Sequence, residues 1–270
     1  MTKQKIEIIY EDADILAINK PSGLSVTKER SGKDQLMDLL TGQIGKGTAD
    51  NLRLIHRLDK LISGVILIAK TKDAQSKYSS DFAKGKIEAT YLALVKGCPA
   101  RTRGRIGYKL RPDGKIMGKM AIAKKHSKDA LTEWEQLANV GLLNLMAIRP
   151  KTDRTHQIRV HMPAAGMPLA IDPLYGDERG IYLSDFKSGY NLGKYAQEKP
   201  LIDRLTLHSY QIRFLDKINE KPQVFIAGLD KKFKTVIKML TKHNPKGTEA
   251  FICDGVYEKI VNGEPLLLTN

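Results

Sequence analysis

The hydrophobic positions of the chain fall into short runs separated by turn-forming residues. Lys5–Tyr10 (KIEIIY) and Ile15–Asn19 (ILAIN) are β-rich, are joined by the acidic EDAD, and end at Pro21-Ser22-Gly23, a strand, turn, strand pattern. Gln35–Ile44 places Leu36, Met37, Leu39, Leu40 and Ile44 at helical spacing. Gly64–Ala69 is a continuous apolar run with β-branched residues, which predicts a strand buried on both faces. Asp73–Lys84 carries Ala74, Tyr78 and Phe82 on one helical face and stops before Gly85, a residue suited to a helix C-terminus. Ile87–Val95 returns to strand.

Further along, Ala130–Asn139 and Leu142–Arg149 read as two strands around a short Val140-Gly141 turn. Thr155–Met162 alternates in period two. That alternation predicts a strand with Thr155, Gln157, Arg159 and His161 on one face and His156, Ile158, Val160 and Met162 on the other, so that Arg159 points into a polar cleft. A strand at Thr206–Phe214 and a helix over Asp230–Lys242 follow, and the segment after Pro245 reads as an added hairpin or tail. Strands outnumber helices without a regular βαβ alternation. The expected class is therefore α+β, with a mixed, largely antiparallel sheet and flanking helices, in a single catalytic domain over residues 1–270 with a C-terminal extension from about 245.

Charge narrows the partner. The formal net charge is +15, which attracts phosphate backbones or anionic surfaces, and nucleic acid is the expected partner. Ten Lys or Arg against one acidic residue, Asp113, crowd Arg101–Lys128 around the turn signal Pro112-Asp113-Gly114. This predicts a basic β-ribbon, read either as a clamp on RNA backbone with Arg103, Arg105, Lys124 and Lys125 among its contacts, or as a solvated, mobile hairpin. Two cysteines, Cys98 and Cys253, are too few for a disulfide framework and fit a reducing cytosol. No apolar stretch has signal-peptide or membrane-spanning character, so a cytoplasmic protein without membrane contact is expected. His56, His156 and His161 lack metal-ligand spacing and no Gly-rich phosphate loop occurs, so no metal and no cofactor is expected.

The segment Leu54–Gly64 (LIHRLDKLISG) puts a charged loop directly before the buried strand, where reactive groups often sit. From the residues alone, Asp59 reads as a surface carboxylate paired with Arg57 or Lys60. The order of motifs changes that reading. His56-Arg57-Leu58-Asp59 followed by Ser63-Gly64 resembles the HRLDxxTSG signature of the RluA-type pseudouridine synthases. Tyr10-Glu11-Asp12 and Asn19–Leu24 (NKPSGL) resemble that family's opening hairpin and loop. Ala89–Gly97 resembles its K-x-Y-x-A-x-V-x-G strand, Arg154–His161 its GRTHQIRVH segment, and Asp172–Gly176 its DPLYG. Leu207-His208 resembles a later LHA strand. Three positions depart: Ile62 stands for the threonine of TSG, Asp153 for the glycine before RTHQIR, and Ala89 for the lysine two places before Tyr91.

The resemblance implies a cofactor-independent enzyme, expected to be a monomer, that converts uridines of structured ribosomal or transfer RNA to pseudouridine. It implies Asp59 as catalytic carboxylate, Arg159 as the guanidinium that keeps it ionised, and Tyr91 as the ring stacking on the flipped base. Arg57 is expected to fill the vacated stack, with His56, Arg154 and Lys20 as further RNA contacts. The rival reading is an RNA-binding or ribosome-assembly factor that has lost catalysis. Asp59, Tyr91 and Arg159 occurring together argue against it, because a binding protein has no use for a desolvated carboxylate. Substrate choice is expected to lie with the basic ribbon and the C-terminal tail.

Overall fold

A computed structural model describes residues 5–26, 35–45, 51–97, 99–193, 196–216 and 221–267. The chain divides into two compact units, Met1–Thr90 with His208–Gly228 and Leu267–Asn270, and Tyr91–Leu207 with Leu229–Leu266. The class is α+β, with mostly antiparallel strand pairing and five α-helices among the described residues.

In the first unit β1 (Glu7–Glu11) and β2 (Ile15–Lys20) form the expected hairpin. Its acidic link is used locally: Asp12 Oδ1 accepts from the N–H groups of Asp14 and Ile15, an Asx-type turn. Strand β4 (Ser63–Ala69) runs antiparallel to β2 and is buried at every position, as its continuous apolar run predicts. Its other edge takes β11 (Leu207–Leu215) in parallel at Ser63 and Gly64, and the short β3 (Arg53–Leu54) antiparallel at Ile68 and Ala69. Strand β12 (Pro222–Ile226), not expected from the sequence, pairs antiparallel with β11. Helix α1 (Leu36–Ile44) buries Leu36 and Leu40. Helix α2 (Lys72–Ala83) starts with the Thr71 side chain accepting from Ala74 N–H and is followed by Gly85 at φ +70°.

The imidazole of His56 belongs to this core. It stacks on Phe82 at 4.4 Å between ring centroids, and its Nε2 accepts from the Leu67 N–H of β4 at 3.0 Å. Burial pushes its pKa down to about 3, so the ring is neutral and its acceptor nitrogen stays available to the strand.

In the second unit β5 (Ile87–Val95), which begins in the first, pairs with β10 (Asn144–Pro150), β10 with β9 (Thr132–Asn139), and β9 with β6 (Arg103–Ile106), all antiparallel. The basic segment is thus divided. Its first part, β6, is a sheet strand, and only β7 (Leu110–Pro112) and β8 (Met120–Ile122) form a separate hairpin. Asp113 Oδ1 accepts from Lys115 and Ile116 N–H at the hairpin tip.

Two sequence expectations fail here. The expected strand Thr155–Met162 is helix α3 (Gln157–Ala164), in which six consecutive residues, Gln157–Met162, are buried. The expected C-terminal hairpin or tail contains a 3-10 turn and helix α5 (Val256–Asn262) instead. Helix α4 (Lys231–His243) forms as expected, with Asp230 capping Lys232 and Phe233 N–H and with Phe233, Val236, Ile237 and Leu240 on the buried side.

Gly64 has φ +115°, and a Cβ there would lie 2.0 Å from the Ser209 carbonyl oxygen of the parallel neighbour β11. Gly64→Ala therefore destabilises the protein by more than about 2 kcal/mol, measured by urea or thermal unfolding. The neutral His56 makes a second prediction. Its folded-state pKa lies below the unfolded value of 6.5, so stability is full above pH 6.5 and is lost as pH falls from 6.5 toward about 3. At pH 5 the loss from this group is about 2 kcal/mol, and His56→Gln, which keeps an acceptor without a titration, flattens that part of the pH profile.

Candidate active site

Asp59 lies in the first unit on the loop between β3 and β4. Leu58, Ile55 and Ile62 anchor this loop in the core, while Arg57 and Lys60 are exposed and Asp59 is half-buried. The Ile62 N–H donates to the Asp59 carbonyl at 3.0 Å and closes a turn. The loop is then strapped to the segment after β2. Lys20, wholly buried, donates from Nζ to the carbonyls of Pro21, Leu24 and Lys60 at 3.0, 2.9 and 3.1 Å. Ser22 Oγ donates to the Leu61 carbonyl and Gly23 N–H to that of Lys60. The NKPSGL segment thus serves as the scaffold of the HRLD loop.

Two side chains expected to contact RNA have partners within the fold. Lys20 has its ammonium in a cage of carbonyls and His56 its ring against Phe82, so both act inside the fold. Behind the loop, Ser63 Oγ lies 2.8 Å from His208 Nδ1, and His208 Nε2 lies 2.8 Å from the Ala227 carbonyl. Both residues are buried, and they tie the first residues of β4 and β11 together. The departure at Ile62 is a core residue, 7% exposed, and Ala89 is likewise buried in β5.

In the second unit Tyr91 is half-buried on β5, opposite Ile148 of β10. Arg159 sits on α3 rather than on a strand, and its Nε and Nη2 donate to Asp172 Oδ2 and Oδ1 at 2.9 and 2.8 Å. This bidentate pair is nearly closed to solvent, with side chains 4% and 2% exposed. Asp172 Oδ1 also accepts from Leu174 and Tyr175 N–H, which fixes the loop carrying the DPLYG motif. His161, whose pKa burial lowers, lies with Nδ1 2.9 Å from Thr132 Oγ1 and Nε2 2.9 Å from the Tyr108 carbonyl.

Arg154 is half-buried and donates from Nε to the Asp129 carbonyl. Of the expected RNA-facing side chains, Arg103, Lys124 and Lys125 are exposed, and Arg105 is exposed but paired with Glu133 at 2.8 Å. Asp172, Tyr175, Ser63 and His208 carried no expected role, although each lies inside a motif whose residue order is recognisable. Among the described residues no helix is long and apolar enough to cross a membrane.

Residues 14–164 match the family described as RNA pseudouridylate synthase. Two relatives are the tRNA pseudouridine synthase C of Vibrio cholerae, 32% identical over 83% of this chain and 91% of its own, and an uncharacterized RNA pseudouridine synthase of Zymomonas mobilis, 30% identical over 84% and 94%. The ribosomal large subunit pseudouridine synthase D of the same Zymomonas is 29% identical over 88% of this chain and 74% of its own. Among solved structures, human RNA pseudouridylate synthase domain containing 4 superposes with a TM-score of 0.65 at 22% identity, covering 87% of this chain and 92% of its own. Human RNA pseudouridylate synthase domain containing 1 gives 0.62 at 22%, covering 83% and 84%. Both share the fold. The chain belongs to the RNA pseudouridylate synthase family, in its RluA-type branch, and is an isomerase acting on RNA.

Proposed function

We propose that this enzyme converts specific uridines of ribosomal or transfer RNA to pseudouridine in the cytoplasm, with Asp59 as the essential carboxylate. The observation that carries this reading is the strapping of the Asp59 loop by a buried ammonium and two further hydrogen bonds. A half-buried carboxylate on a turn held by these bonds, flanked by exposed Arg57 and Lys60, supports that reading. The relatives include one named for tRNA and one for the ribosomal large subunit, which supports both RNA classes as substrates.

The reaction breaks the bond from ribose C1′ to uracil N1 and forms one from C1′ to C5; N1 ends with a proton and the C5 proton goes to solvent. It is an internal rearrangement with no net oxidation and no incoming group, so it balances without metal or cofactor. Asp59 can attack C1′ or C6, or take a ribose proton, and each route needs the ionised carboxylate. The uridine must leave the stack first, at a cost of about a few kcal/mol, least where the RNA is already looped. Exposed Arg57 fills the vacated place, and Tyr91 stacks on the extruded base, contributing about 1 to 3 kcal/mol. Arg159, held by Asp172, is a positioning residue, and exposed Arg103, Lys124 and Lys125 track the backbone.

Asp59→Asn, nearly isosteric, leaves RNA affinity within about twofold and lowers single-turnover pseudouridine formation by about 10³-fold or more. A rate within tenfold of the native enzyme would remove Asp59 from the chemistry. Replacing Lys124 and Lys125 by alanine weakens RNA binding and makes the slope of log affinity against log salt shallower by about 1 per lost phosphate contact. An unchanged slope would take these lysines out of the RNA interface.

A further inference from the structure

Of the Asp172–Gly176 motif that the sequence singles out the mechanism uses only Asp172, and the motif's tyrosine makes an unusual set of contacts. The Tyr175 hydroxyl accepts from the Met120 N–H of β8 at 2.7 Å and lies 2.8 Å from Nδ1 of His156, to which it can give its own proton. Met120 is in the basic hairpin. His156 is the residue that begins α3, and it holds a left-handed backbone at φ 54° and ψ 20°, which a non-glycine residue keeps only when its surroundings hold it there.

The ring is engaged as well as the hydroxyl. Arg159 Cζ and Lys119 Nζ each lie 5.2 Å from its centroid, one from α3 and one from the hairpin. Met120 and Tyr175 pack together against Leu110, Ala130 and Val160, which seats the hairpin root on the same helix. Tyr175 therefore touches the hairpin and α3 at once, through both its hydroxyl and its ring, and adds to the Leu110–Lys128 backbone pair at the hairpin root.

We propose that Tyr175 is a positioning residue that locks the basic hairpin of residues 110–122 to helix α3, and through it sets how tightly the enzyme grips structured RNA. A hairpin attached by two short strands would otherwise swing at its root, and ordering it on the RNA would then cost affinity at each encounter. Tyr175 fixes that angle before the RNA arrives. The proposal rests on the reading of the hairpin as an RNA contact.

The test is a double-mutant cycle on the full-length protein, with unfractionated transfer RNA as the binding probe. Tyr175→Phe keeps the ring and removes the hydroxyl, and weakens binding by about fivefold, the scale of one hydrogen-bonded anchor. Replacing residues 113–119 by a two-residue Asn-Gly turn also weakens binding. With the hairpin shortened, Tyr175→Phe adds less than about 1.5-fold, because the tip whose approach to the RNA it sets is gone. In single-turnover kinetics the Tyr175→Phe defect appears in the half-saturating enzyme concentration, and thermal midpoints of both proteins stay within about 3 °C of the parent.

Additive losses in the cycle, or no loss from Tyr175→Phe alone, would overturn the proposal. So would unchanged affinity after shortening, which would show that there is no grip to set. An enzyme inactive on every RNA tried would refute the functional reading, while the affinity cycle would still decide the role of Tyr175.

Discussion

A single buried ammonium organises the end of the first unit that carries Asp59. Lys20 donates to three backbone carbonyls, two from its own loop and one from the loop that carries Asp59. A cation removed from water costs several kcal/mol unless its donors are met, and each charge-assisted hydrogen bond returns about 1.5 to 3 kcal/mol. The consequence is geometric. The chain around Pro21–Leu24 and the chain around Lys60 must come to the same point, or the ammonium loses acceptors it needs inside the fold. The β2 and β4 register, with Lys20 opposite Gly64, and the approach of β11 to Gly64, which only a residue lacking Cβ allows, hold the same region from below.

The second unit solves a related problem by another route. Helix α3 carries Gln157, Arg159 and His161 on buried positions, and each has partners: Gln157 with Leu131, Thr132 and Thr152, Arg159 with Asp172, His161 with Thr132 and Tyr108. A polar side chain inside a fold is tolerated when its hydrogen bonds are met, and then it fixes orientation more sharply than an apolar one does. In the first unit Lys20 fixes the Asp59 loop, and in the second the Arg159–Asp172 pair ties α3 to the loop that carries Asp172–Gly176.

Helices with one wet face and strands with an unbroken β-branched apolar run are legible in the sequence. Helix α4 shows its apolar residues at intervals of three and four, and β4 shows an unbroken apolar run because both its faces are covered. Helix α3 was misread for a reason inside its structure. Six consecutive residues are buried, so helical periodicity has no solvent face to mark it, the polar residues alternate by coincidence, and Pro163 near its end argues against a helix. The C-terminal helix was missed because it is short and begins at Gly255 in a left-handed conformation, with no polar cap. At the site, motif order pointed to the Asp59 loop, but it could not distinguish a lysine that touches RNA from one that holds a loop. Lys20 and His56 are basic residues inside recognisable motifs, and only burial separates them from Arg57.

The central claim is that Asp59, fixed on its strapped loop, isomerises particular uridines. The most direct measurement is chemical mapping of pseudouridine across total RNA from cells that lack the gene, from the same cells carrying the intact gene, and from the same cells carrying Asp59→Asn. The account predicts a discrete set of ribosomal or transfer RNA positions that vanish with the gene, return with the intact copy, and stay absent with Asp59→Asn at equal protein level. Full restoration of those positions by Asp59→Asn would contradict it.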